Sequence, residues 1–313
     1  MKKVTVFAAA LVFAAGAAMA QGNTSTVNQT GEEHRAEVQQ TGAANSSAVT
    51  QTDLSNWGFV TQTGNTNVSR VEQVAGAAYN TAYLFQTGDA NTSSISQSDV
   101  SEGNLAYVRQ TGTGNASTVV QDMAAYANIA EAWQIGNANS ASQEQSGESE
   151  SNEMYVEQSG NRNMAQQYQG GVSLANTAYI YQWGDNNMAV QSQDEVSGYN
   201  SAIASQDGNN NLAEQYQGFS SVANTADIMQ NGDGNMAFQS QDDLSYYENF
   251  AGIQQFGSDN EGAQYQNTGG DLYSTLYQDG SLNSSLQRQT GQSHSSVVNQ
   301  IGSLNTSTVI QGN

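Results

Sequence analysis

Asn80-Thr-Ala-Tyr-Leu-Phe-Gln86, then Thr87-Gly88-Asp89-Ala90, then Asn91-Thr-Ser-Ser-Ile-Ser-Gln97: this stretch sets a ruler for the whole chain. Steps of 24 from Asn80 reach Asn104, Asn128, Asn152, Asn176, Asn200 and Asn224. The same steps from Gln86 reach Gln110, Gln134, Gln158, Gln182, Gln206 and Gln230, each with a glycine two residues on. The second half of the unit keeps time as well. Asn91, Asn115, Asn139, Asn163 and Asn187 pair with Gln97, Gln121, Gln145, Gln169 and Gln193. A globular enzyme has no reason to hold polar ladders in register this long. A stack of β-strand layers has one, because each amide can bond its copy in the next layer.

Each unit therefore reads as two strands, Asn80–Gln86 and Asn91–Gln97, joined by a four-residue reversal and followed by six linking residues, Ser98–Gly103. Side chains alternate faces along a strand. Asn80, Ala82, Leu84, Gln86, Asn91, Ser93, Ile95 and Gln97 should point inward, and Thr81, Tyr83, Phe85, Thr92, Ser94 and Ser96 outward. One such β-arch buries too little apolar area to offset chain entropy; a stack of them does not have that problem. The reversal needs a positive φ, which glycine supplies at Gly64, Gly88, Gly112, Gly136, Gly160, Gly184, Gly208, Gly232 and Gly257.

Toward both ends the period shortens. Asn23, His34, Asn45, Asn56 and Asn67 lie 11 apart, giving 22-residue units. At the other end Asn235, Asn249 and Asn260 precede a weak unit at Tyr273 and Asn283, then His294 and Asn305; one residue is inserted before Asn249 and one lost before Gln278. The expected fold is all-β, a β-solenoid of about twelve two-strand units plus a leading strand at Asn23–Gln29. At ~4.8 Å per layer the stack would run roughly 55–60 Å. A 48-residue echo, Met164-Ala-Gln-Gln-Tyr-Gln-Gly170 against Leu212-Ala-Glu-Gln-Tyr-Gln-Gly218, reads as duplication of a two-unit block. From Gln143 onward the aliphatic slot of strand two becomes Gln (Gln167, Gln191, Gln215, Gln239, Gln264), so an internal Gln ladder is expected. Tyr83, Tyr107, Tyr155 and Tyr179, with Glu131 among them, form either an aromatic stripe or ordinary exposed strand residues.

Composition bounds the rest. Residues 1–20 carry Lys2 and Lys3, an apolar run from Val4 to Ala18 and a small-residue Ala18-Met19-Ala20 site. They read as a secretory signal peptide, with Gln21 the expected new N-terminus; the run is short for a membrane helix. The fold then occupies 21–313. The chain has 7 basic and 29 acidic residues, a net charge of −22, and without Lys2 and Lys3 it has no lysine. Nucleic-acid binding wants the opposite sign. There is no Cys for disulfides, and no Pro where roughly fifteen would be average, as suits a chain that is strand nearly throughout. The acids Asp89, Asp99, Asp122, Asp194 and Asp242 fall in turns or links, where they either slow association by repulsion or are plain turn residues.

Chemistry-bearing motifs are missing from the sequence. His34 and His294 are the only histidines, and both replace an Asn anchor. No phosphate loop or Ser/His/Asp arrangement is visible, so enzyme function, cofactor binding and metal binding are not expected. Gly232-Asp-Gly-Asn235 lacks the nonapeptide period of calcium solenoids, and the outward positions lack the flat Thr face of an ice binder.

The pattern Asn-x-(Ala/Ser)-x-x-x-Gln-x-Gly-x-x-Asn-x-Ala-x-x-x-Gln resembles the curlin repeat of curli fibre subunits, from Asn23 to Gln311. The resemblance implies a β-solenoid that polymerises end to end into extracellular amyloid on the surface of a Gram-negative bacterium, within a biofilm matrix. It also implies a nucleator subunit, an outer-membrane secretion channel and a periplasmic chaperone as partners, with Asn and Gln ladders as fibre-forming residues. This chain departs from the family in its larger repeat number, its 24-residue unit, and Gln21-Gly22 leading almost directly into a repeat. Regularity and the lack of a basic tail point to the major subunit rather than the nucleator. A monomeric solenoid adhesin is the rival outside the family; it would carry a cap or anchor domain, and Asn23–Gln29 and Asn305–Gln311 both read as repeat strands.

Overall fold

A computed structural model describes residues 11–12, 22–194, 196–218, 222–242 and 248–312. The expected leader, residues 1–20, lies outside the described residues except for Leu11–Val12, which runs parallel to Glu37–Val38. The expected all-β solenoid is what the chain forms. Apart from a two-stranded link sheet of Val172–Leu174 and Val196–Gly198, strands alternate between two sheets, so each strand pairs not with its sequence neighbour but with the next strand but one. The first-strand sheet runs from Arg35–Ala43 through Thr81–Asp89 to Ser295–Ser303, and the second-strand sheet from Thr24–Glu32 through Thr92–Ser98 to Thr306–Gly312. All these pairings are parallel and in phase with the sequence ruler, as in Ala82↔Ala106 and Gln86↔Gln110.

Burial follows the alternation. Asn80, Ala82, Leu84, Gln86, Asn91, Ser93, Ile95 and Gln97 are all buried, while Thr81, Tyr83, Phe85, Thr92, Ser94 and Ser96 are half-buried or exposed. The two inner faces close on one apolar column from Ala36 and Val38 to Val298. Each fully buried Val, Leu or Ile there contributes about 1.5–3 kcal/mol. Parallel sheets are usually covered on both faces. Here one face of each meets solvent, and the two outer faces differ. Trp57, Trp133 and Trp183, the only tryptophans, all lie on the first-strand sheet, and rings stack there in a run from Phe59 through Tyr83 and Tyr107 to Trp133. The second-strand sheet shows Ser and Thr in its earlier part, then a row of Met164, Met188, Leu212 and Met236 and a shorter ring run of Tyr216, Phe238 and Tyr265.

The reversal is tighter than the sequence pattern implies. The first strand does not stop at Gln86 but runs through Gly88 to Asp89, and Gly88 stays in register with Gly112. The corner falls at Ala90, whose φ is 56°. Gly88 itself has φ 109°, and a Cβ there would collide with the carbonyl oxygen of Gly112. Its first duty is thus to let successive rungs approach; parallel stacking keeps backbone groups bonded through the bend. The links stack too, through bridges Ala78↔Glu102↔Tyr126↔Glu150↔Leu174. The weak unit differs by one residue from its sequence reading: Leu272, not Tyr273, fills the Asn slot, and its N–H donates to Asn249 Oδ1 at 2.9 Å. The inserted and lost residues are absorbed without loss of register, since Gln230, Gln255 and Gln278 remain bonded over steps of 25 and 23 residues.

Candidate assembly surfaces

Two columns of glutamine run the length of the stack. In the first-strand sheet Gln86 Nε2 donates to Gln110 Oε1 at 2.9 Å, and the chain continues through Gln134, Gln158, Gln182 and Gln206. In the second-strand sheet Gln97, Gln121, Gln145, Gln169 and Gln193 do the same at 2.7–3.1 Å. The width of an amide plus one hydrogen bond of about 2.9 Å spans the ~4.8 Å rung, so the column closes without strain. The second amide proton goes across the core: Gln86 Nε2 also donates to Val68 O, and Gln97 Nε2 to Thr81 O. Both protons of these buried amides are thereby used.

The first-strand asparagines work differently from the expectation of amide bonding to amide, which second-strand ones do meet: Asn91 Nδ2 donates to Asn67 Oδ1 and Asn115 Nδ2 to Asn91 Oδ1, each at 3.1 Å. In the first-strand sheet the Oδ1 of Asn80, Asn104, Asn128 and Asn152 accepts the backbone N–H of the next Asn, at 2.8 Å in each case. Their Nδ2 groups donate into the stacked link, to Ser101, Ala125, Ser149 and Ser173. Asn176 donates to Ser197 Oγ at 2.9 Å. In the second-strand sheet Asn91, Asn115, Asn139, Asn163 and Asn187 also accept or donate to neighbouring Asn, but Nδ2 always reaches a turn glycine carbonyl, as Asn91 to Gly112 at 3.0 Å. The geometry favours this because an Asn side chain is one methylene shorter than Gln and lies close to backbone. The buried link serines were missed in the sequence reading; their signal was a small residue three before each first-strand Asn.

The internal Gln ladder forms as the sequence suggested, from Gln143 through Gln264 and on to Gln287, ending on Ser296 Oγ. His34 fills an Asn slot, its Nδ1 taking the N–H of Asn56 at 3.3 Å. The Tyr stripe forms in two pieces, Tyr83 with Tyr107 and Tyr155 with Tyr179, separated by Glu131. Burial, then Glu153 beside it, holds the Tyr179 phenol up at about 12. Asp89 is a turn cap: its Oδ1 accepts both the backbone and side-chain N–H of Asn65. Asp122 differs. Burial first, then Glu144 and Asp99, hold its carboxyl above the ordinary 3.8.

Every Gln-to-Gln bond of these columns is donated toward the C-terminal end, so the stack has polarity. At the first rungs Gln29 and Gln40 donate forward to Gln51 and Gln62, and among the described residues nothing donates to their own Oε1. At the last rungs Gln300 and Gln311 donate only across the core, to Ser284 O and Ser295 O. One end thus offers acceptors and the other offers donors, in columns a single rung apart. The last rungs also expose Val297, Ile301, Leu304 and Ile310, each 70–73 % accessible. Among the described residues no group of three or more His, Cys, Asp or Glu is placed to hold a metal. No protein-family model matches the chain, and no curated protein matches it.

Proposed function

We propose that this chain is the structural subunit of an extracellular, curli-like amyloid fibre of a biofilm matrix, growing head to tail. The observation that carries this reading is the polarity of the Gln columns, with acceptors at Gln29 and Gln40 and donors at Gln300 and Gln311. Open strand edges are normally blunted; here, apart from Leu11–Val12 in the leader-like segment, the outermost described strands, Thr24–Glu32 and Thr306–Gly312, are repeat strands like those inside. A head-to-tail contact that does not close yields a filament. A subunit that is already cross-β adds to the tip by continuing two sheets, with no new kind of contact.

In this reading the chain leaves the cell by a signal peptide and an outer-membrane channel, escorted by a periplasmic chaperone, and a nucleator subunit starts the fibre. The test is negative-stain imaging and fibre diffraction of the chain from Gln21 onward. Unbranched fibres with reflections near ~4.8 Å and ~10 Å are expected. A protein that stays monomeric at high concentration and binds no amyloid dye would instead favour the solenoid adhesin.

A further inference from the structure

Each of the two long sheets has thirteen strands among the described residues, but one of those in the first-strand sheet is Leu11–Val12, inside the leader-like segment. A chain from Gln21 onward therefore has twelve first-strand and thirteen second-strand positions filled, and its outermost strands at both ends, Thr24–Glu32 and Thr306–Gly312, belong to the same sheet. If two copies simply stack, Thr306–Gly312 lies on Thr24–Glu32 of the next copy. The other sheet is then left one strand short at every junction, with Ser295–Ser303 and Arg35–Ala43 two rungs apart. That gap would leave backbone groups and the Gln300 amide facing nothing.

The sequence of the two outermost strands removes the gap. Asn23-Thr-Ser-Thr-Val-Asn-Gln29 and Asn305-Thr-Ser-Thr-Val-Ile-Gln311 differ at one position only, Asn28 against Ile310, and both of those side chains point outward. Resting on the head-to-tail reading above, we infer that copies join by strand exchange. Thr306–Gly312 of one copy displaces Thr24–Glu32 of the next and takes its place against Ser46–Leu54.

The contacts to be inherited are all ones the last strand can make. Asn23 Oδ1 accepts Asn45 N–H at 2.9 Å, Gln29 Nε2 donates to Gln51 Oε1 at 2.7 Å, and Val27 packs on the core. Asn305, Gln311 and Val309 are the same residue types at the same spacing. Ile310 favours the strand more than Asn28 does, which sets the direction of exchange. The first-strand sheet then also closes: Ser295–Ser303 meets Arg35–Ala43 directly, Gln300 Nε2 reaches Gln40 Oε1, and His294 is followed by His34. The ends match in period, since Asn283 to Asn305 and Asn45 to Asn67 are both 22-residue steps.

The chain has no cysteine, so single-cysteine variants report the junction cleanly. Thr26 is in register with Ala48, and Leu286 with Thr308, all in the outward row of the second-strand sheet. In-register Cα atoms in adjacent strands lie within disulfide range. Fibres are grown from equal mixtures of two variants, oxidised, and run on a non-reducing gel. Exchange predicts a covalent dimer from Thr308→Cys with Ala48→Cys. A dimer from Thr308→Cys with Thr26→Cys instead means plain stacking, and one from Leu286→Cys with Thr26→Cys means exchange in the opposite sense; either overturns the inference, as do fibres that give no dimer in any mixture. If those substitutions block fibre growth, Thr50→Cys with Ile310→Cys in the neighbouring outward row repeats the test. No fibre from the unsubstituted chain defeats the head-to-tail reading itself, a result distinct from fibres with the wrong crosslink.

Discussion

Rungs before and after Gln143 solve the same packing problem in opposite ways. In the earlier part the second strand buries a serine and an aliphatic residue, as Ser47 with Val49, Ser69 with Val71, Ser93 with Ile95 and Ser117 with Val119. In the later part it buries alanine and glutamine, as Ala165 with Gln167, Ala189 with Gln191 and Ala213 with Gln215. Each rung keeps one polar and one apolar group; only their order changes. The outcome is unequal. The Oγ atoms of Ser25, Ser47, Ser69, Ser93 and Ser117 are buried without a hydrogen-bond partner, whereas the Gln column is bonded throughout. A Gln amide both donates and accepts along the column, so every rung is bonded in turn, whereas these five serines find no partner, although Ser285 and Ser307 do bridge one rung at 2.8 Å. The ladder is also directional, so its first member has nothing behind it: Gln143 Oε1 faces the Val119 rung and is orphaned.

The largest expected effect should be the same in both parts and so serves as the reference. Gly88→Ala and Gly208→Ala each push a Cβ into the next rung's carbonyl, and each should cost about 3 kcal/mol or more, read by denaturant unfolding. A tolerated alanine at either would mean the rungs are not stacked as described. Next, Gln215→Val should cost about 2–4 kcal/mol, because it strands one Nε2 proton of Gln191 and the Oε1 of Gln239 together. Gln143→Val is the contrasting case. It only passes the orphaned acceptor to Gln167, so the loss should stay within about 1 kcal/mol. Equal costs for these two would show that position in the ladder does not matter.

In the earlier part Ser69→Ala removes a buried hydroxyl with no partner and should be neutral or stabilising by up to ~1 kcal/mol. A clear loss there would reveal a bond that the serine column makes in solution. The smallest effect concerns Asp122, at the boundary between the two parts. Its folded pKa is raised, by burial and then by Glu144 and Asp99, so the folded state holds the proton more tightly. Acidification from neutral pH through that raised value adds stability. The gain is complete below the ordinary 3.8 and vanishes as pH rises through the folded value. Melting at stepped pH should show this slope shrink in Asp122→Asn; an unchanged slope would place the effect elsewhere.

Much of this was legible in the chain because a stacked fold writes its third dimension into its period. The Gln columns and the inward set of each unit could be read by counting; whether the tyrosines stack could not. The role of the first-strand Asn could not be read either, because Asn and Gln look alike in a pattern and differ by where one methylene puts the amide: beside backbone for Asn80, in open column for Gln86. The link serines Ser101, Ser149 and Ser173 escaped because a small residue in a variable segment carries no periodic contrast until a partner such as Asn128 is seen to donate to it. Tyr273 drew attention from Leu272 because an aromatic at a strand start is a stronger local signal than an apolar residue in a polar slot.

The sequence by itself determined the rung: which residues face in, and that copies superpose, since a period fixes register wherever one face is buried. Only the tertiary structure decided direction and closure. The sense in which each Gln column donates and the carbonyl contact that forbids a side chain at Gly88 depend on how rungs meet in space. A repeat specifies its own layer by side-chain alternation, but a hydrogen bond has a donor and an acceptor, and that asymmetry appears only when one layer is set on another.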